Sequence, residues 1–218
     1  MFDQPEPVID AFRSNIPKDF LSDSLTCLFE SYQDAFETCH GQLAETEVHD
    51  VVAAYRRALI ETHIRVVAHR YQTITIRVEP NARKTSYFSL LSSGVVDLTL
   101  AKSGSSNCMP RRARYRSNLF ERSQASLFAA ERAKTGSRLY AVLLHGSWRR
   151  KQLTEETSPF IKFPAFARMV FPDKDGQILT GIDLFRECRH VVVQFMPAVE
   201  QVETAMPTPL RKRKTVGE

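Results

Sequence analysis

The sequence predicts an α+β fold, in which an N-terminal helical hairpin packs on a mostly antiparallel sheet with one further helix. From residue 17 to residue 70, apolar side chains recur every three or four positions, which is typical of amphipathic helices. From residue 73 they alternate with polar side chains or form short runs, which is typical of strands. A capping-box pattern from Asn118 to Glu121, in the middle of the strand-like region, predicts the further helix.

The helical hairpin is predicted from two amphipathic segments joined by a short turn at residues 39–42. The first segment runs from Pro17 to Cys39, and Gly41 is interpreted as its C-terminal stop. The second runs from residue 43 to residue 70. Its predicted buried stripe consists of apolar residues and one histidine, namely Val48, Val51, Val52, Tyr55, Leu59, His63, Val66 and Val67.

Seven segments have the pattern of strands, at residues 73–78, 87–91, 95–100, 139–144, 166–171, 177–179 and 190–195. The uninterrupted apolar run from Leu139 to Leu144 predicts a central strand that is buried on both faces. In the strand at 95–100, alternation places Leu98 inward and both Asp97 and Thr99 outward.

Three parts are predicted along the chain: an acidic helical hairpin at 1–70, a basic β-rich core with one helix at 71–197, and a disordered basic tail at 198–218. We expect the first two parts to form one compact unit. Within the core, the sequence predicts a flexible connection rich in Ser and Gly at 102–109 and the further helix at 119–134.

Charge is distributed unevenly along the chain. Residues 1–61 contain 12 Asp or Glu against 4 Lys or Arg, whereas residues 62–218 contain 13 against 26. Positive charge is densest in residues 110–151, called the basic segment below, which contain 11 basic and 2 acidic residues. This arrangement indicates either a surface for a polyanion or a basic face that pairs with the acidic hairpin.

The basic segment is the predicted nucleic-acid-binding site. Arginine suits phosphate because its planar guanidinium donates two hydrogen bonds to one oxyanion. An interleaved tyrosine ring can stack on an exposed base. The predicted site residues are Arg111, Arg112, Arg114, Tyr115, Arg116, Arg149, Arg150 and Lys151. The other interpretation is a solvated surface, or a face that docks on the acidic hairpin.

The sequence patterns indicate no catalytic residue, metal site or cofactor. The four cysteines are scattered without metal-ligand spacing, which favours reduced thiols. His145-Gly146-Ser147 follows a strand as the oxyanion-hole turn of α/β-hydrolases does, but the chain lacks their G-x-S-x-G elbow. Without an apolar run of membrane-spanning length or a signal-peptide pattern, we expect a cytoplasmic protein with no membrane partner.

A magnesium-dependent nuclease is a third functional hypothesis. Glu61 on an early helix and Asp97 in a strand match two acidic positions with which nucleases of the restriction-enzyme type gather the metal. The Glu-x-Lys pair that such enzymes carry on the next strand is missing, because Glu131 and Lys134 have a different spacing and lie in a predicted helix.

One resemblance extends over residues 45–180. It rests on Tyr115-Arg116-Ser117-Asn118, on the Gln/Leu/Phe-containing run at 123–128 and on the strand at 139–144. This layout resembles that of a group of uncharacterised bacterial and prophage-borne proteins. The resemblance implies a bacterial cytosolic setting and carries over no activity, cofactor or site residue.

The leading hypothesis is a non-enzymatic regulatory or accessory protein that binds nucleic acid, or a nucleoprotein partner, through the basic segment. The alternative is a protein-interaction module that forms a homodimer or a hetero-complex through its acidic and basic faces. The position of residues 110–116, facing either solvent or the hairpin, bears directly on this choice.

Overall fold

The structure is a computed structural model that describes residues 6–81, 84–110, 113–123, 138–148, 161–173 and 175–196. The described chain begins with three helices, α1 (Glu6–Asn15), α2 (Lys18–Gln42) and α3 (Glu45–His69). Six strands follow, β1 (Thr75–Pro80), β2 (Tyr87–Ser93), β3 (Val96–Lys102), β4 (Leu139–Ser147), β5 (Pro164–Pro172) and β6 (Ile178–Asp183). Helix α4 (Arg114–Ser123) lies between β3 and β4, and helices α5 (Leu184–Glu187) and α6 (Arg189–Phe195) follow β6. The predicted α+β class is confirmed.

Helices α2 and α3 form the predicted hairpin, but the turn lies later than the sequence indicated. Helix α2 continues through Gly41 to Gln42, so the interpretation of Gly41 as a stop was wrong. The C-cap of the helix is Leu43, whose backbone is extended and whose N–H donates to the carbonyl of Cys39 at 3.0 Å. The Leu43-Ala44 connection then leads directly into α3.

The buried stripe of α3 is rotated from the predicted one. Its buried residues are Val48, Arg56, Ile60, Ile64, Val67 and Ala68, so an arginine occupies a position in the seam. Val51, Tyr55 and Val66, which were predicted to be buried, are exposed. Apolar side chains lie on both sides of this helix, and packing on the sheet selects between them.

The six strands form one sheet in the order β1-β2-β3-β4-β5-β6. All neighbouring strands are antiparallel except β3 and β4, which are parallel. Strand β4 lies between β3 and β5 and is buried along its length up to Gly146, which confirms the predicted central strand. The β2–β3 hairpin turns at Gly94, whose φ of 51° is the left-handed conformation that favours glycine.

Each face of the sheet carries its own apolar cluster. The larger cluster joins α1, α2 and α3 to residues such as Leu98, Leu143 and Met169, and α5 and α6 pack into it as well. The second cluster lies on the opposite face, where Leu119 and Phe120 of α4 cover Tyr140 and Val142. The helical hairpin therefore covers one face of the sheet, as the sequence suggested.

The prediction that Asp97 and Thr99 point into solvent was wrong. Asp97 is 6% exposed and Thr99 is fully buried, because the second apolar cluster covers their face of β3. Both find polar partners there. Arg138 Nε donates to Asp97 Oδ2 at 2.8 Å, and the hydroxyls of Thr99 and Tyr140 share a hydrogen bond of 2.5 Å.

One helix prediction and one strand prediction also differ from the structure. Asn118 does not cap α4, because that helix begins at Arg114 and Ser117 N–H already donates to the Ala113 carbonyl at 3.0 Å. Residues 190–195, which were predicted as a strand, belong to α6. Val191 and Val192 favour strands by propensity, but their burial in the larger cluster outweighs that preference.

Part of the predicted organisation lies outside the described residues, namely the predicted helix from residue 124 onward and the basic tail at 198–218. Among the described residues, no helix combines the length and apolarity needed to cross a membrane.

Candidate anion-binding cleft

The parallel pair β3–β4 positions the candidate site. Because the strands run in the same direction, their carboxyl ends meet at one edge of the sheet, where Lys102 is paired with His145. A cleft of about 1240 Å³ opens at this edge, between α3 and residues 103–110 and 113–116. Ligands of α/β sheets commonly bind outside the carboxyl ends of parallel strands.

Side chains from α2, α3 and β4 form a polar network at the inner end of the cleft. The Tyr32 hydroxyl and His145 Nδ1 lie 2.9 Å apart in a buried hydrogen bond. Arg56 Nη1 donates to Ser147 Oγ at 2.6 Å. The Arg56 guanidinium also lies over the Tyr32 ring, 4.2 Å from its centroid. The network fixes Arg56, His145 and Ser147 relative to one another.

Gly146 allows the end of β4 to lie close to Phe166 and to the Ser103 backbone. A Cβ atom at this position would lie 2.2 Å from the Phe166 ring and 2.8 Å from the Ser103 carbonyl oxygen. The β4–β5 register shifts between Gly146 and Ser147, at the same point. The His-Gly-Ser sequence that is similar to an oxyanion-hole turn therefore has a packing explanation.

The inner end of the cleft is strongly positive. Burial, together with the smaller effects of the Arg56 and Lys102 charges, lowers the pKa of His145 to about 3, so His145 is neutral near pH 7. Desolvation also lowers the pKa of Lys102, with the Arg56 charge acting in the same direction.

Arg56 is a buried cation without a carboxylate partner among the described residues. The residue is only 7% exposed, and its Nε has no hydrogen-bond partner in the described part of the chain. The indole Nε1 of Trp148, which also lines the cleft, is likewise buried and unpartnered within the described residues. A buried charge is unfavourable unless a counter-charge or hydrogen bonds compensate it.

Basic residues outnumber acidic ones along the described lining of the cleft. Five cationic side chains line it, those of Arg56, Arg57, Lys102, Arg114 and Arg116. Glu61 is the single carboxylate among these lining residues. Its Oε2 accepts the backbone N–H of Ser89 at 2.9 Å, and desolvation raises its pKa.

The Ser- and Gly-rich connection after β3 is tied down by hydrogen bonds. Ser103 Oγ donates to the Cys108 carbonyl at 2.7 Å. Arg168 on β5 donates to the Ser106 carbonyl at 3.0 Å and to Asn107 Oδ1 at 2.7 Å. The segment, which was predicted as flexible, is bonded to itself and to β5 and forms a wall of the cleft.

Three of the eight predicted site residues, Arg114, Tyr115 and Arg116, line the cleft. The Tyr115 ring is stacked on Phe88 with centroids 3.8 Å apart, and its hydroxyl accepts a 2.8 Å hydrogen bond from Arg116 Nη1. One face of this ring is therefore used for packing. Five residues lie outside the described part of the chain, namely Arg111, Arg112, Arg149, Arg150 and Lys151.

Sequence reasoning missed the cations that enter the cleft from elsewhere. Arg56 and Arg57 belong to the acidic half of the chain, and Lys102 ends a strand. One signal was present, because Arg56 precedes Ile60 and Ile64 at intervals of four residues and so shares their helix face. An arginine in register with buried isoleucines indicates a buried charge.

The two acidic residues of the nuclease hypothesis have different surroundings. Glu61 lines the cleft, whereas Asp97 pairs with Arg138 and accepts a 2.5 Å hydrogen bond from Ser92 Oγ. Among the described residues, there is no group of three or more His, Cys, Asp or Glu side chains arranged to hold a metal ion.

Comparisons with models of known protein families, with curated proteins and with solved structures found no match. The resemblance to bacterial and prophage-borne proteins stays a prediction, and the function is argued from the cleft.

Proposed function

We propose that this protein is a non-enzymatic accessory protein that binds nucleic acid in the cleft at the carboxyl ends of β3 and β4. One observation supports this most directly. Five cations from three separate parts of the chain line the described cleft, against one carboxylate. Such a groove concentrates the positive potential that attracts a polyanion.

The shape of the site favours a single strand over a duplex. Proteins bind single strands in concave, positively charged grooves that follow the sugar-phosphate backbone. Duplex DNA is usually bound by a convex helix or ribbon that enters its groove. Arg57 and Arg114 are exposed at the cleft and can contact successive phosphates of a strand that leads outward.

Salt dependence tests the proposal. Fluorescence anisotropy should detect binding of a labelled random single strand by the full chain at low salt, with weaker binding of a duplex. Each phosphate contact to a single strand contributes about −0.7 to the slope of log affinity against log salt, so four contacts predict a slope of about −3.

A charge-reversed pair at the cleft is compared with a matched control pair elsewhere on the surface. Arg57→Glu/Arg114→Glu should reduce affinity at low salt by about tenfold or more and flatten the salt slope. Lys18→Glu/Arg186→Glu makes the same charge change at two exposed residues outside the cleft and should leave affinity nearly unchanged. Equal losses in both variants would mean that net charge, and not the cleft, determines binding.

A thiol probe gives an independent readout on the unaltered protein. Cys108 is exposed at the cleft, whereas Cys27, Cys39 and Cys188 are buried. Bound nucleic acid should slow maleimide labelling of Cys108. If no strand or duplex binds even at low salt, the proposal is wrong, and sedimentation against salt then tests the protein-interaction alternative.

A further inference from the structure

We infer that the inner end of the cleft is a subsite for a dianionic phosphate monoester, held by Arg56 and Lys102 beside Ser147 and Trp148. The inference rests on the proposed function and deepens it, because a phosphate monoester terminates a nucleic-acid strand. It distinguishes a strand end from the internal phosphodiesters that the outer arginines contact.

Among the described residues, the charges at this point have no counter-ion. Arg56 and Lys102 line the same cleft, and both charges act on the buried imidazole of His145. Neither cation forms a salt bridge within the described residues. A dianion would neutralise the pair, whereas an internal phosphodiester carries a single negative charge.

The hydrogen-bonding groups support an anion at the same place. Arg56 is more than nine-tenths buried, and its Nε has no partner within the described residues. Trp148 Nε1 is a second buried donor that has no partner within the described residues. Ser147 Oγ is held by Arg56 Nη1 at 2.6 Å, which fixes the guanidinium in the lining of the cleft. Arg56, Ser147 and Trp148 all line the cleft, so the two unpartnered donors belong to residues beside the inferred anion.

The degree of burial favours a chain end. A terminal phosphate is esterified once and presents three oxygens, so it can approach a recessed guanidinium with one substituent leading back to the cleft opening. An internal phosphodiester has sugars on both sides that must also fit. The exposed Arg57 and Arg114 then lie where the following phosphates would leave the subsite.

The test compares strands that differ only at their ends. A short single strand with an internal label is titrated into the full-length protein with a 5′-phosphate, with a 3′-phosphate, or with hydroxyls at both ends. At least one phosphorylated strand should bind about tenfold more tightly than the hydroxyl strand, the usual effect of one charge-assisted contact. Inorganic phosphate and a nucleoside monophosphate are tested in parallel for protection of Cys108 from maleimide.

Lys102→Gln removes one charge of the subsite at an exposed position at the end of β3. This variant should lose the preference for the phosphorylated strand. The hydroxyl strand should lose less affinity, because it loses only the general attraction of one cation in the cleft, whereas the phosphorylated strand also loses a direct contact. Arg186→Gln removes one charge from an exposed residue outside the cleft and should keep the preference.

The outcomes separate the inference from the proposed function. Equal affinities for all three strands would overturn the inference and leave nucleic-acid binding intact. If no strand binds, the proposed function fails. Protection of Cys108 by free phosphate or the mononucleotide in wild type but not in Lys102→Gln would then assign the subsite to a small phosphate compound. Absence of every effect would overturn both.

Discussion

At the scale of single residues, burial of the Arg56 charge is unfavourable for stability but would be useful for binding an anion. The fold buries its guanidinium beside Tyr32 and Ser147 with no carboxylate among the described residues. Replacing buried charges by apolar side chains of similar volume is often neutral or stabilising. The burial of a cation that has no carboxylate partner among the described residues therefore supports the inferred anionic ligand.

The first residue-scale prediction concerns that conflict. Arg56→Met should leave the free energy of unfolding of the ligand-free protein unchanged or raise it by about 1–2 kcal/mol. It should also abolish the preference for a phosphorylated strand. Urea unfolding measures the first effect, with the exposed Arg57→Met as control, which should change stability by less than about 0.5 kcal/mol. A loss of more than about 1 kcal/mol in Arg56→Met would show that internal contacts already compensate the charge.

The second residue-scale prediction concerns His145, which faces Tyr32 from α2, Arg56 from α3 and Lys102 from β3. Its pKa falls from 6.5 to about 3 on folding, so between these values the unfolded chain binds the proton and the folded chain does not. Stability should therefore decline as pH falls below 6.5, at roughly 1 kcal/mol per pH unit from this group.

Urea unfolding at several pH values between neutral and mildly acidic, with His145→Gln beside wild type, isolates that contribution. Glu61 has a raised pKa, which gives a dependence of opposite sign, but it is present in both proteins and cancels from the difference. His190→Gln, at an exposed position, is the control. Parallel curves for wild type and His145→Gln would contradict the prediction.

At the scale of elements, the carboxyl ends of β3 and β4 determine which side chains meet in the cleft. The parallel pairing brings Lys102 and His145 together, and the Ser103 N–H continues it by donating to the His145 carbonyl at 2.9 Å. An antiparallel pairing would have placed these residues at opposite edges of the sheet. The site thus depends on strand direction as much as on residue type.

Alanine substitutions at two glycines are predicted to change the free energy of unfolding in opposite directions. Gly146→Ala should lower the free energy of unfolding by about 1–3 kcal/mol, because the new Cβ would overlap the Phe166 ring and the Ser103 backbone. Gly41→Ala should raise it by up to about 1 kcal/mol, because Gly41 lies in the last turn of α2 with nothing within 4 Å of the added carbon.

Thermal and urea unfolding of both alanine variants measure these changes. A stabilising Gly146→Ala would mean that the strand end shifts freely, and the cleft geometry would then not be fixed by β4. A destabilising Gly41→Ala would instead support the original interpretation of Gly41 as the end of the helix.

At the scale of the whole molecule, the helices and the sheet share one apolar cluster on one face of the sheet. The uneven charge distribution of the sequence is rearranged by this packing. Arg56 and Arg57 belong to the acidic half of the sequence, but they line the same cleft as Arg114 and Arg116. Lys162 reaches the hairpin at Glu37, with 3.7 Å between Lys162 Nζ and Glu37 Oε1.

Much of the fold could be predicted from local patterns. The two hairpin helices, all six strands at least in part, and the central position of 139–144 follow from apolar patterning. The strand predicted at 190–195 failed because three consecutive valines carry a β propensity that burial in a helix overrode. The side chain of Asp97 was misassigned because alternation does not reveal that a second cluster covers the outer face.

The sequence by itself determined the α+β class, the central strand and the presence of a basic segment, because these depend on residue spacing and composition over short stretches. Only the tertiary structure decided which cations meet. Arg56, Lys102 and Arg114 are 46 and 12 residues apart in sequence and converge at one edge of the sheet. Their convergence depends on the parallel β3–β4 pairing and on which face of α3 packs inward, and no local pattern encodes either.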